Sequence, residues 1–256
     1  MGRWNGLKRW YLRLVTRVGL RRAKQVVAVS QYTRSQILRR YGKNLDDKIQ
    51  VVYEGWEHLL LHEKDKYEFP QDVTFKNYIL YVGSSRAHKN LSRLLEAIQH
   101  FLLQLPPEWG FLFIGSNTML SNKQVQQIKE INAKCQVVQF TGWKDASSLA
   151  TYYRHAKALI FPSLSEGFGI PILEAYFYHL PLLLSNQASL SEVAGEAAIY
   201  FNPYDTNEIA QTILQFVQQS DHSDLIALQT QRLARYSWKY ASNQLNVQIQ
   251  QICKSI

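Results

Sequence analysis

From residue 78 onward the chain repeats one pattern, a short apolar run followed by a stretch of helical length, and that alternation leaves few folds open to it. The apolar runs are Tyr78 to Val82, Phe111 to Ile114, Gln136 to Phe140, Ala158 to Phe161, Pro181 to Leu184 and Ala198 to Phe201. Helices are expected between and after them, at 90–104, 121–132, 145–156, 170–179, 189–194 and 205–219. Six strands alternating with helices predict an α/β fold with a doubly wound parallel sheet of Rossmann-like type. Such sheets bind ligands beyond the carboxyl ends of their strands. Gly83, Gly115, Gly142 and the stretch 163–174 all fall there.

Ahead of this pattern lies a different kind of sequence. Residues 3–24 hold eight basic residues and no acid, with Trp4, Leu7, Tyr11, Leu14 and Val18 spaced to line one helix face. Gln25 to Ser30 reads as a buried-type strand, and Ser30 as the cap of a helix from Gln31 to Tyr41 that Gly42 ends. Ile49 to Tyr53 reads as a second strand. One β-α-β unit cannot bury both faces of a sheet, so residues 1–60 are expected to be a truncated β-α-β remnant of another domain. Residues 61–76 are polar and irregular, as a linker would be. The main domain is expected over 77–236. A last helix lies within 237–256, with nothing obvious of its own to pack on.

Charge is concentrated at the front. Residues 1–50 carry thirteen Lys or Arg against two acids, while the rest carries sixteen against eighteen. A basic amphipathic helix with Trp and Tyr fits an anionic membrane surface. The competing reading is a helix packed on its own domain. Nucleic acid is not expected, because no recognition motif is present. No apolar run approaches the roughly 20 residues needed to span a bilayer. Two distant cysteines, Cys135 and Cys253, give no disulfide framework. The expected location is therefore the cytoplasm, peripheral on the inner face of the cell membrane through residues 3–24.

The chemistry concentrates in Ser163-Leu-Ser-Glu-Gly-Phe-Gly-Ile-Pro-Ile-Leu-Glu174. A strand ends, a Gly167-Phe168-Gly169 turn follows, and a helix opens with Pro171 in its first turn. Free N–H groups at such an opening bind anions. Glu166 and Glu174 flank the turn, and a carboxylate accepts paired hydroxyls such as those of a ribose. Taken singly, each glutamate is as well explained by the helix dipole or by solvent. Together with the glycine turn they describe a site for a sugar nucleotide. Gly83-Ser-Ser-Arg-Ala-His-Lys-Asn90 adds Arg86, His88 and Lys89 at another helix opening, where cations neutralise a diphosphate. His58, His62, His100, His155, His179 and His222 show no metal-ligand spacing. No P-loop, dinucleotide glycine fingerprint or nucleophile elbow is present, which argues against an NAD-dependent enzyme.

These residues resemble the retaining GT-B glycosyltransferases of group 1, glycosyltransferase family 4, over residues 20–245. The resemblance rests on Ala28-Val-Ser-Gln-Tyr-Thr-Arg-Ser, Val51-Val-Tyr-Glu-Gly, Tyr78-Ile-Leu-Tyr-Val-Gly, His88-Lys-Asn-Leu, Phe140-Thr-Gly, the Glu166 to Glu174 stretch, Leu190-Ser-Glu-Val-Ala-Gly-Glu-Ala-Ala and Tyr236-Ser-Trp. It implies that 77–236 is the donor-binding half of a GT-B enzyme. Lys89 would hold the diphosphate and Glu174 the ribose. Glu166, with Gly167 and the backbone of Phe168, Gly169 and Ile170, would face the transferred sugar and phosphates. Thr141 and Gly142 would lie by the base. Gly83, Ser84 and Arg86 would complete the donor site, Ser84 standing where many family members carry arginine. Glu166 and Lys89 are the implied catalytic pair, and no metal or other cofactor is implied. The implied reaction moves a hexose from a UDP- or GDP-sugar to a glycan or lipid-linked acceptor with retention, in polysaccharide or lipopolysaccharide synthesis. The family also has an acceptor domain before residue 20 and a last helix that crosses back onto it. That domain is expected either on a partner chain or in a longer enzyme from which this sequence is cut. The alternative is a donor-binding module with little activity of its own.

Overall fold

A computed structural model describes residues 3–62, 67–115, 120–219 and 221–254. The main sheet has six strands: β3 (Asn77–Val82), β4 (Trp109–Ile114), β5 (Val138–Gly142), β6 (Ala158–Phe161), β7 (Leu182–Ser185) and β8 (Ile199–Phe201). Before them in the chain come β1 (Val26–Ala28) and β2 (Ile49–Val51), which pair only with each other. The six-stranded sheet runs in the order β5-β4-β3-β6-β7-β8, all neighbours parallel. From β3 the chain winds outward through β4 to β5, then returns to the other side of β3 at β6. Winding reverses between β3 and β6, and a crevice opens there beyond the strand ends.

Burial on both faces explains why the strands read as unbroken apolar runs. Along β3, Tyr78 and Leu80 point into one core, and Ile79 and Tyr81 into the other. The first core is closed by α5 (Ala146–His155), α6 (Ile170–Phe177) and α7 (Leu190–Ala194). The second is closed by α3 (Leu91–Phe101), α4 (Asn122–Lys134) and α8 (Thr206–Gln218). This is the doubly wound parallel sheet that the alternation predicts.

Several details differ from the sequence expectation. β5 starts two residues late, because the Asn132 side chain bonds both the N–H and the carbonyl of Val138 and fixes where pairing begins. Thr141 and Gly142 thus belong to the strand. A helix that the apolar pattern does not show, α9 (Ser223–Leu233), packs on α6; it buries only Gln229 and Leu233, too little for a legible stripe. The stretch expected as a linker is pinned to the domain at a few points, with four of its residues, 63–66, outside the described ones. Val73 and Phe75 are buried, and Asp72 accepts from Tyr152 and pairs with Lys144 at 2.8 Å. Two apolar anchors among polar neighbours suffice to hold it.

At the front, α1 (Arg3–Arg22) leads to β1, α2 (Gln31–Tyr41) and β2. Ser30 caps α2, accepting from the Thr33 N–H at 3.0 Å, and Gly42 ends it at φ +117°. The face of α1 carrying Leu7, Tyr11, Leu14 and Val18 is exposed, so the reading in which that face packs on its own domain is not what the structure shows. The Trp4 side chain lies outside the described ones. The last helix, α10 (Trp238–Lys254), is tied at its start to the stretch after β2. Glu57 accepts from the Ser237 hydroxyl and the Trp238 N–H, and the Trp238 indole N–H lies 3.1 Å from His58 Nδ1. Gly55 permits this approach, since a Cβ there would fall 2.0 Å from the Trp238 nitrogen.

Candidate functional site

Two loops meet at the crevice between β3 and β6. The first, from Gly83 to Asn90, leaves β3; the second, from Ser163 to Gly169, leaves β6. The His88 carbonyl accepts from the Leu164 N–H at 2.7 Å, which stitches the loops together. Lys89 Nζ reaches across the junction to Glu166 Oε1 at 2.7 Å, with 18% and 15% of the two side chains exposed. The lysine also sits 5.2 Å from the Phe161 ring centroid. An expected cation and an expected carboxylate, 77 positions apart, are therefore in contact.

Each loop is held from behind. Ser189 is fully buried, and its hydroxyl donates to the carbonyls of Glu166 and Phe168 at 2.9 and 3.1 Å. The Gly167 carbonyl accepts from Ser30 Oγ at 2.6 Å and Thr33 Oγ1 at 2.9 Å. Gly169 adopts φ +107° as the cap of α6, a backbone that disfavours any L side chain. α6 then opens at Ile170, with Pro171 in its first turn. The Phe168 side chain turns inward, against Tyr53 and Tyr236 at 6.2 and 5.7 Å. Tyr81 donates to the Ser84 carbonyl at 2.9 Å, which fixes the start of the first loop. Arg86 caps the short turn at 87–89 and has no ion pair among the described residues.

Glu174 sits one helical step deeper. Its Oε2 accepts from the Tyr153 hydroxyl at 2.5 Å, and Tyr153 stacks on Tyr178. The carboxyl is shut away although the residue keeps some surface, and this burial raises its pKa above the ordinary carboxylate value; the Tyr153 bond partly offsets the rise. The Tyr153 hydroxyl is itself pushed well up by burial and by Glu174.

Three hydroxyls at the carboxyl ends of the strands make no hydrogen bond among the described residues. Ser85, Thr141 and Ser163, just beyond or at the ends of β3, β5 and β6, bury their oxygens without a partner among the described residues. A buried unsatisfied hydroxyl costs about 1–3 kcal/mol, and a polar ligand or water offsets that cost. Gly142, half-buried beside Thr141, adopts φ +76°. No group of three His, Cys, Asp or Glu among the described residues is placed to hold a metal.

Sequence reasoning missed the latch that ties α2 to this site. Glu192 of α7 accepts from the N–H groups of Gln31 and Tyr32 at 2.7 and 2.9 Å, and from the Tyr53 hydroxyl at 3.0 Å. Burial and the Glu192 carboxylate push Tyr53 up to about 12. A signal was present: α2 has no acid in its first turn, so its N-terminal N–H groups call for an anion from elsewhere. Between α2 and the second loop lies a hollow of about 630 Å³, walled by Tyr32, Gln36 and Arg40 on one side and by His88, Ser165 and Glu166 on the other.

Residues 63–232 match the profile of the family described as "Glycosyl transferases group 1". The chain is 26% identical over 230 residues to O-antigen chain mannosyltransferase B of Escherichia coli, covering 87% of this chain and 59% of the relative. It is 27% identical over 233 residues to the O-antigen chain mannosyltransferase RfbU of Salmonella typhimurium strain LT2, covering 91% and 61%. The chain thus spans about three-fifths of the curated relatives it matches. Among solved structures, Anabaena Alr3699/HepE in complex with UDP and glucose is similar at TM-score 0.74 and 19% identity, covering 96% of this chain and 67% of that one. Sucrose-phosphate synthase from Thermosynechococcus elongatus is similar at TM-score 0.71 and 21% identity, covering 95% and 62%. At these identities the two structures establish the fold.

Proposed function

The chain belongs to the group 1 glycosyl transferases, and on that premise we propose that it binds a nucleotide sugar and takes part in retaining transfer of a hexose, mannose being favoured by its relatives, during polysaccharide or lipopolysaccharide synthesis. The observation that supports this most is the Lys89–Glu166 contact where the loops after β3 and β6 meet. Lys89 and the N–H groups at the start of α6 hold the diphosphate of a UDP- or GDP-sugar. Glu174, positioned by Tyr153, accepts the ribose hydroxyls, and Thr141 and Gly142 lie by the base. Glu166 and the backbone of Gly167 to Ile170 face the sugar. Gly83, Ser84 and Arg86 shape the first loop around the phosphates. In the reaction the bond from the anomeric carbon to the diphosphate breaks, one to an acceptor hydroxyl oxygen forms with the same configuration, and the hydroxyl proton passes to the departing diphosphate. Lys89 stabilises the departing diphosphate charge.

Donor binding is assigned to this chain as it stands. Transfer is assigned to it together with the acceptor side of the cleft, since closing a cleft expels water and aligns the reactants. The family assignment implies no metal or other cofactor. No helix among the described residues is long and apolar enough to cross a membrane; work at the cytoplasmic membrane face remains part of the proposal, through α1. Incubation with labelled UDP- and GDP-hexoses and a polysaccharide-making membrane fraction tests transfer. A product of inverted configuration would refute the retaining reading. Nucleotide binding without transfer, with an acceptor-side chain present, would favour the donor-binding module.

A further inference from the structure

The loop that leaves β6 is held by its carbonyls. Those of Glu166 and Phe168 accept from the buried Ser189 hydroxyl, just ahead of α7. The carbonyl between them, that of Gly167, is taken from a distant part of the chain, by Ser30 Oγ at 2.6 Å and Thr33 Oγ1 at 2.9 Å. The N–H groups of residues 166–170 make no hydrogen bond among the described residues. The backbone of this loop therefore has donors to offer a ligand, while the acceptors of 166–168 are already engaged.

Ser30 and Thr33 form the cap and first turn of α2, in the β1–β2 unit, whose strands do not pair with the six-stranded sheet. The Ser30 hydroxyl has two tasks. Its oxygen accepts from the Thr33 N–H at 3.0 Å and caps the helix, and its proton goes to the Gly167 carbonyl. The Thr33 hydroxyl adds a second donor to that carbonyl and no cap. The contact is close, since a Cβ on Gly167 would lie 3.6 Å from Thr33 Oγ1 and from Val29. The seat of α2 is fixed from α7, where Glu192 takes the N–H groups of Gln31 and Tyr32.

We propose that Ser30 and Thr33 are positioning residues of the donor site, which hold the Gly167 carbonyl turned away from the diphosphate. This rests on the sugar-nucleotide reading and adds to it a control by α2. In a trans peptide the carbonyl and the next N–H point in opposite directions, so fixing the Gly167 oxygen also fixes the Phe168 N–H. Once released, that peptide turns over readily, because Gly167 has no Cβ to resist the rotation. Turning it exchanges a donor for a carbonyl oxygen, which repels phosphate oxygens where an N–H attracts them. Diphosphate affinity then depends on a helix outside the six-stranded domain.

The test is calorimetry of the whole chain with UDP and with GDP, beside nuclear magnetic resonance titration with uridine and guanosine, which lack the phosphates. Thr33→Val should weaken the better-bound diphosphate by about threefold, and Ser30→Ala/Thr33→Val by about tenfold or more. Nucleoside affinity should stay unchanged in both. Ser30→Thr keeps a hydroxyl that both caps and donates, and should bind the diphosphate as the parent does. Ser30→Ala also removes a cap, so circular dichroism is read alongside; Thr33→Val removes none and decides alone if the double variant fails to fold. Unchanged diphosphate affinity in folded variants overturns the proposal. So does an equal loss for nucleoside and diphosphate, which makes the contact a purely structural one. A parent that binds neither nucleotide fails the donor reading and this inference with it. A parent that binds, with variants that bind equally, fails the inference alone.

Discussion

Replacing Glu166 by Gln should tighten the binding of free UDP or GDP, although the residue lies in the site. Lys89 Nζ is held by Glu166 Oε1 at 2.7 Å, and an arriving diphosphate must take the lysine from that carboxylate. At an effective dielectric of about 20, the Coulomb attraction at that distance is about 6 kcal/mol. Partial removal of both charges from water offsets most of it, leaving about 1–3 kcal/mol for a pair this covered. Glu166→Gln keeps the shape, removes the competitor and removes its repulsion of the phosphates. The expected gain is about 1–2 kcal/mol, or roughly five- to thirtyfold in Kd. Lys89→Ala should move affinity the other way, by about tenfold or more. Sugar transfer should fall in both variants. Isothermal calorimetry with UDP and GDP reads the affinities. If Glu166→Gln weakens nucleotide binding as Lys89→Ala does, the lysine is not the diphosphate ligand that the carboxylate restrains.

Glu174 should make stability and binding depend on pH in opposite senses. Its folded pKa is raised by burial, so the folded protein retains a proton that the unfolded chain has released above about 4.5. Stability should therefore fall as pH rises from there through the raised value. Glu174→Gln should be more stable than the parent above that window and equal to it below, as urea melts at several pH values would show. Ribose recognition needs the carboxylate, so nucleotide affinity of the parent should rise through the same window. Gly169→Ala forces an L side chain to φ +107°, with its Cβ about 3.0 Å from Leu190, and should cost about 2 kcal/mol in urea melts and weaken nucleotide binding. Glu192→Ala removes the anion from two N–H groups of α2 and from Tyr53; it should cost about 1–2 kcal/mol and speed amide exchange at Gln31 and Tyr32.

The main sheet was legible because its strands are buried on both faces, so composition alone betrays them. The Gly167 to Gly169 turn was legible as a helix opening because two glycines followed by Pro171 fix it locally, whereas the meeting of Lys89 with Glu166 needed the fold. What stayed hidden depends on contacts distant in sequence. Tyr153 reads as one more apolar residue of a helix, and only the fold brings its hydroxyl to Glu174. Ser189 and Glu192 lie more than twenty residues from the groups they hold. Asp72 looked like part of a linker until Lys144 and Tyr152 were seen to meet it. α9 escaped because a helix that buries one Gln and one Leu leaves no periodic stripe.

Direct titration of the chain with UDP and with GDP, repeated on Glu174→Ala, bears most closely on the donor-site assignment. The expected result is saturable binding of one of them, weakened at least tenfold in a Glu174→Ala variant that remains folded. Absence of binding by the folded parent, or an affinity unchanged by the substitution, would contradict it.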